Sequence, residues 1–302
     1  MFIEFDSNRL AYQISEDEVG LSLIEVMSQK MSVSSRMIRR SKDGKSIQLN
    51  GYVVSVNAKV RLNDIVSVEL DKEPNIFPAE DIPIEVVFEN HDLLVINKQP
   101  YVVVHPTKGH PNGTIGNGIA KYFAGNGFDG KIRFINRLDR DTSGLLLVAK
   151  NGYTQQIISN QMIDDAVEKR YMALVLGVVI KDSDTINLPI GRPSPEDLRR
   201  AVMDDGQDSV THYEVVKRYK DATLVKIRLE TGRTHQIRVH FAHLGHPLIG
   251  DELYGCPSDK IQRQALHSYF LKFQLPRTRE WITLEADLPY DFKALIDSMS
   301  EC

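Results

Sequence analysis

The sequence predicts an α+β protein: a larger domain with a largely antiparallel mixed sheet flanked by helices and loops, behind a small N-terminal α+β domain. Three observations carry this. Apolar alternation recurs along the chain and does not alternate strictly with helical segments, as parallel βαβ units would require. Helical periodicity is confined to short stretches. A charged run holding Pro74, Pro78 and Pro83, residues 71–83, separates the two parts and resists both helix and central strand. The 302 residues are 42% hydrophobic, which excludes dominant disorder. With 37 basic against 41 acidic side chains the net charge is −4, so any nucleic-acid contact must come from a local patch.

Each element has a local reason. Phe2 to Phe5 and Leu10 to Ile14 read as short strands around an Asp6-Ser7-Asn8 turn. Leu23, Ile24, Met27 and Met31 recur at helical spacing, and Ser34 or Ser35 can cap a second short helix carrying Met37 and Ile38. Asn50-Gly51 is a hairpin signal, and the run from Asp64 to Leu70 adds a strand that closes the first domain, residues 1–70. Within residues 84–302, a hairpin turns at Asn90 to Asp92, Thr114 can cap a helix, and residues 132–149 read as strand, polar loop, strand. A helix at 153–162 precedes strands at 168–179, 209–219 and 222–230. Thr234 can cap a further helix whose Ile237, Phe241 and Leu244 share one face, with Gly245 just past its end.

Cys256 and the terminal Cys302 are too far apart in sequence to suggest a disulfide framework or a cysteine zinc site. Without a long apolar run or a signal-like N-terminus, a soluble, cytoplasmic protein is expected. Several motif fragments fail on inspection. Gly44-Lys45-Ser46 lacks the upstream glycine of a phosphate loop, since Arg39 stands there. Asp141-Thr142-Ser143-Gly144 has no second copy to form a proton-sharing carboxylate pair. His235, His240, His243 and His246 are spaced 5, 3 and 3 apart with no carboxylate among them, unlike a helical zinc motif. Capping, packing or RNA contact fits these histidines better than a metal.

Between Lys30 and Ser46, six basic residues, among them Arg36, Arg39 and Arg40, face one acid, Asp43. Such a cluster can bind phosphates, although a solvated helix face is the usual fate of a charge run. The order helix, Ser-Arg-rich helix, Asn-Gly hairpin and following strand resembles the S-four-like RNA-binding module of a ribosomal protein.

The most informative run is FINRLDRDTSGLLLVAKN, residues 134–151, in which two apolar strands flank a loop that packs Arg137, Asp139, Arg140, Asp141 and Thr142 together. Asp139 between two arginines would be held ionised, the form able to act as a nucleophile. A structural salt-bridge cluster would show the same charge pattern. Resemblance changes the balance. Arg137-Leu138-Asp139 followed by Thr142-Ser143-Gly144 resembles the signature of the RluA-type pseudouridine synthases, which isomerise uridines in structured RNA. Segments around Lys169 to Ala173, 231–240, 245–255 and 266–273 match in the same order. Asn136 and Leu275 depart from the pattern, each standing where histidine is common.

The resemblance implies a catalytic domain over residues 84–302, acting as a monomer on ribosomal or transfer RNA, with no metal, other cofactor or membrane. It implies that Asp139 is the reacting carboxylate, attacking the uracil ring or the ribose anomeric carbon, or assisting elimination, and that Arg233 pairs with it. Tyr171 would stack on the target uracil, with a proton-accepting role also open. Lys169, Tyr171 and Ala173 share one strand face by their alternation. Arg137 would fill the space left by the flipped nucleotide, with Lys169 and Arg238 as further contacts to phosphate or the active site. An RNA-binding factor without catalysis, or a metal-dependent hydrolase, are the competing classes.

Overall fold

The computed structural model describes residues 1–3, 8–107 and 109–300. The turn read at Asp6-Ser7 and the terminal Cys302 lie outside the described residues. The N-terminal part is an antiparallel five-stranded sheet in the order β1 (Phe2–Ile3), β2 (Arg9–Gln13), then β5, β3 and β4. Helix α1 (Leu23–Glu25) continues into one wider turn, Val26–Lys30, and α2 (Ser35–Asp43) is capped by the Ser34 hydroxyl, which accepts from the Met37 amide. Strands β3 (Ile47–Leu49) and β4 (Tyr52–Val53) are joined by Asn50 and Gly51, with φ of 52° and 84°, the left-handed pair a two-residue hairpin turn needs. Strand β5 (Ile65–Glu69) lies at the centre.

Ten of the remaining strands form one sheet, and two more form a separate small pair. β6 (Glu85–Glu89) and β7 (Leu93–Lys98) make the hairpin, and α3 (Ile115–Gly125) starts at the Thr114 cap. β8 (Arg133–Phe134) and β9 (Ser143–Ala149) flank the signature loop. α4 (Gly152–Ile163) leads to β10 (Glu168–Leu176). An arm follows: β11 (Ser183–Asn187), then the small pair β12 (Ile190–Gly191) and β13 (Ala201–Val202). β14 (Val210–Arg218), β15 (Ala222–Leu229), α5 (Gln236–His243), β16 (Leu266–Gln274), β17 (Trp281–Glu285) and α6 (Tyr290–Asp297) complete the chain. The order is β11-β14-β15-β10-β16-β9-β7-β6, with β17 beside β16 and β8 beside β9. Among the described residues only the β16–β9 pair is parallel.

Alternation sorts side chains into separate cores. Tyr171, Ala173 and Val175 of β10 join the core under α3 and α5, whereas Met172 and Leu174 pack with α6. The N-terminal core takes in Tyr153 and Ile157 of α4, and the Tyr153 hydroxyl donates to the Met31 carbonyl at 2.9 Å. Arg277 grips the junction, pairing with Asp92 at 2.7 Å and donating to the Arg9 carbonyl at 2.8 Å. The two parts are thereby packed and hydrogen-bonded together. No helix of the described residues is long and apolar enough to cross a membrane.

Several elements differ from the reading of the sequence. Strand β11 went unread because Ile186 alone is buried in a run of exposed polar residues, the mark of an edge strand. The helix after β15 starts at His235, not Thr234, because His235 takes the left-handed conformation (φ 59°, ψ 18°). The Thr234 hydroxyl is thereby left facing Arg137, which donates to it.

Candidate active site

The signature loop is pinned at several residues. Asn136 bonds the middle of β9: its amide donates to the Leu145 carbonyl at 3.2 Å and its oxygen accepts from the Leu147 amide at 2.7 Å. Leu138 points into the core. The wholly buried Lys98 amine donates to the carbonyls of Gln99 and Arg140, both at 2.8 Å, and burial lowers its pKa to about 7 with Asp141 opposing the shift. Buried Arg263 donates to the Asp141 carbonyl at 3.1 Å while its other nitrogens grip Asp291 at the start of α6. Gln264 donates to the Thr142 hydroxyl at 3.0 Å. At Gly144 (φ 112°) a Cβ would lie 2.1 Å from the Ser268 carbonyl oxygen, so glycine alone lets β9 begin against β16.

Held on this loop, Asp139 accepts a hydrogen bond from Arg238 Nη1 at 3.0 Å. The same guanidinium donates its Nε and Nη2 to the two oxygens of Asp251, at 2.7 and 2.8 Å. Asp251 is fully buried and Arg238 nearly so, while Asp139 keeps 27% of its side chain exposed. Burial alone would lower the arginine's pKa, but the two carboxylates outweigh it and hold it charged. A second group waits beside Asp139. The Arg200 amide donates to the Tyr254 hydroxyl, which shares a second hydrogen bond with His235 Nδ1 at 2.9 Å, leaving Nε2 of the imidazole 3.9 Å from the Asp139 carboxylate. Burial also lowers the His235 pKa, with Asp139 opposing.

A cavity of about 610 Å³ opens beside the loop, lined in part by Arg137, Lys169, Tyr171, Leu229 and Arg233; Asp139 itself is not part of its wall. A β-bulge between Arg170 and Tyr171 in the β10–β16 ladder re-aims the strand there. Burial, with the charge of Asp139 adding to it, pushes the Tyr171 phenol up to about 12. It therefore stays neutral at physiological pH. Lys169 is buried beside it, its pKa lowered by that burial, and no hydrogen bond among the described residues occupies its amine. The site thus sets a carboxylate held by Arg238 near a cavity of mixed apolar and polar lining, with Arg137 and Arg233 exposed on its rim.

A family model described as RNA pseudouridylate synthase matches residues 92–243, a span holding every group just named except Asp251, Tyr254, Arg263, Gln264, Ser268 and Asp291. The chain belongs to the RNA pseudouridine synthase family. A Bacillus subtilis relative, the uncharacterized RNA pseudouridine synthase YjbO, is 41% identical over 88% of this chain and 95% of its own. Ribosomal large subunit pseudouridine synthase D of Haemophilus ducreyi is 34% identical over 96% of this chain and 94% of its own. Among solved structures, human RNA pseudouridylate synthase domain containing 1 superposes with a TM-score of 0.58 at 28% identity, covering 71% of this chain and 87% of that one. The protein is thus an isomerase.

Within the synthase several sequence-based assignments move. Arg238, not Arg233, pairs with Asp139: both lie near the start of α5, but Arg238 faces the loop from inside the helix, while the Arg233 guanidinium donates to the Asp208 carbonyl at 3.1 Å. Three of the five N–H donors of Arg238 are thereby taken by carboxylates, which makes it an active-site contact. Asp139 is also not sandwiched by its sequence neighbours, because Arg140 forks onto Asp141 at 2.8 and 3.0 Å and Arg137 reaches Thr234. In the N-terminal cluster Arg40 pairs with Asp71 at 3.1 Å, so part of its charge is spent on the linker. Asp251 and Lys98 were missed, since a lone buried partner leaves no periodicity. Of the four clustered histidines His240 is buried and shares hydrogen bonds with the Thr211 hydroxyl and the Leu188 carbonyl, both at 2.9 Å, whereas His243 is exposed. Among the described residues no group of three His, Cys, Asp or Glu side chains is arranged to hold a metal ion.

Two outcomes follow from this geometry. Arg238→Lys, which keeps a charge but loses the fork, should slow pseudouridine formation at saturating RNA roughly 10- to 100-fold. That loss should exceed the one in Arg233→Lys; the reverse order in single-turnover rates would restore the Arg233 pairing. The second outcome concerns His267, whose Nδ1 accepts from Ser143 and whose Nε2 donates to the Ala286 carbonyl. Burial lowers its pKa to about 4. The unfolded chain takes up this proton first, so its contribution is whole above about pH 6.5 and is lost as the pH falls toward 4, about 3 kcal/mol in all. Denaturant unfolding at pH 7 and pH 4.5 should show a steeper acid loss in the wild type than in His267→Gln, and equal losses would contradict it.

Proposed function

We propose that this synthase isomerises chosen uridines of ribosomal RNA, drawing the target base out of its stack into the cavity beside Tyr171 and using Asp139 as the reacting carboxylate. The observation that carries the reading is the three-way contact in which Arg238, fixed by buried Asp251, presents to Asp139. The ribosomal assignment draws on the names of relatives that match nearly the whole chain.

The reaction breaks the bond from uracil N1 to ribose C1′ and forms one from C5 to C1′. C5 gives up a proton and N1 gains one, so no electrons are exchanged and no cofactor enters the scheme. A carboxylate of Asp139 serves attack at C1′, attack on the ring, or assistance to elimination. Tyr171 supplies the stacking face, and Arg137, exposed at the cavity rim, is placed to enter the gap the base leaves. Lys169 can donate to a uracil carbonyl or a phosphate. Arg36 and Arg39, which make no ion pair among the described residues, add a second, sequence-independent grip on the RNA backbone through the N-terminal domain. The enzyme acts as a monomer in the cytoplasm, where such RNA is found.

Asp139→Asn should abolish pseudouridine formation, at least 1,000-fold by order of magnitude, while melting temperature and RNA affinity stay near wild type. Pseudouridine mapping of total RNA from cells carrying either version is the check. In the same comparison, sites lost from ribosomal RNA support the substrate class, sites lost from transfer RNA replace it, and retained sites overturn the role of Asp139.

A further inference from the structure

A second recess, of about 400 Å³, adjoins the cavity of Tyr171 and shares Arg137, Gly232 and Arg233 with it. Its opposite wall is the arm around β12 and β13, which contributes Arg192, Arg200 and the recess's one acid, Asp205. We propose that this recess binds the phosphodiester groups that flank the target uridine, with Arg192 and Arg200 as its dedicated contacts. The inference rests on the RNA reading above and extends it to residues of the arm.

The charge distribution is what distinguishes this site. The arginines buried in the scaffold are neutralised: Arg238, Arg263 and Arg277 each meet a carboxylate. Around this recess none of the four does so among the described residues. Arg137 donates to the Thr234 hydroxyl, Arg192 to the Pro195 carbonyl at 2.8 Å, Arg200 to the Arg199 carbonyl at 3.4 Å, and Arg233 to the Asp208 carbonyl. Four guanidiniums share the recess with a single acid, Asp205, so they repel one another on balance, a cost that an anion in the recess would reverse. Each partner is a neutral acceptor, which orients a guanidinium and leaves its charge and most of its donors free for a fork-shaped contact to phosphate.

The recess is also held open. At Gly232 a Cβ would meet nothing within 4 Å, so bare backbone lines the passage between recess and cavity. The arm has a fixed base: the Met203 amide donates to the Pro189 carbonyl at 3.0 Å, and the Arg200 amide to the Tyr254 hydroxyl at 2.8 Å. A nucleotide entering the cavity trails its own phosphates over this shared wall, which makes an RNA strand the anion that fits.

The test uses an unmodified transcript of large-subunit ribosomal RNA and the full chain. Binding is measured from 50 to 300 mM potassium chloride for wild type, R192Q/R200Q, R192K/R200K and a charge-matched control, K121Q/K293Q, whose lysines lie on α3 and α6. R192Q/R200Q is expected to weaken binding roughly tenfold or more near 100 mM salt and to flatten the salt slope by about 1 to 2. R192K/R200K should keep most of the slope and lose part of the affinity, since charge survives and the fork does not. Binding by R192Q/R200Q indistinguishable from the control, in affinity and slope, would overturn the proposal. Should the wild type form no pseudouridine in any RNA, the functional reading falls, while a flattened slope in R192Q/R200Q still upholds the recess.

Discussion

A guanidinium buried between two carboxylates sets the geometry on which the active site depends. Arg238 is locked by two bonds to Asp251 and offers its remaining prong to Asp139. Buried charges are costly unless each is paired, and removing one member of such a group leaves the others uncompensated, at about 3–5 kcal/mol. The arrangement is therefore rigid: Asp251 cannot leave without stranding Arg238, and Arg238 cannot rotate without losing both partners. Asp139, the least buried of the three, is the member able to meet a substrate. Rigidity of this sort is what preorganised catalysis requires, because the reacting group need not reorganise as charge develops.

The scaffold repeats this logic on a larger scale. Lys98 and Arg263, both buried, hold backbone carbonyls of the signature loop, and Arg263 ties that loop to α6 through Asp291. Arg277 does the same for the junction with the N-terminal domain. These buried cations thus serve the fold, paired with acids or bonded to carbonyls. The arginines on the rim of the two cavities make no ion pair among the described residues, which is the state expected of groups that meet a polyanion.

Much of this could be read from the residues, and the rest could not for physical reasons. Period-2 alternation placed Tyr171 and Lys169 on one face of β10, since strand geometry dictates it. Asn50-Gly51, Ser34 and Thr114 marked their turn and caps through local hydrogen bonding and left-handed backbone alone. Asp139 emerged from its loop by family resemblance. The choice between Arg233 and Arg238 lay beyond local rules, because it depends on the left-handed turn at His235, a conformation few non-glycine residues adopt. Asp251 lies in a tight turn before Tyr254 and becomes meaningful only once α5 packs against it. In the arm from β11 to β13 the first strand is polar and the other two are only two residues long, so none gave a periodic signal, although the arm's arginines were plain in the sequence.

The central claim is that Asp251, which touches neither substrate nor reacting atom, governs the rate by fixing Arg238 on Asp139. The most direct measurement is the single-turnover rate of pseudouridine formation by Asp251→Asn at saturating RNA, with RNA affinity measured alongside. Asparagine keeps the shape and the acceptor for the turn amides and removes the charge that aligns Arg238. The account expects a rate lowered roughly 10- to 100-fold with affinity within about threefold of wild type. A wild-type rate in a folded Asp251→Asn enzyme would contradict it.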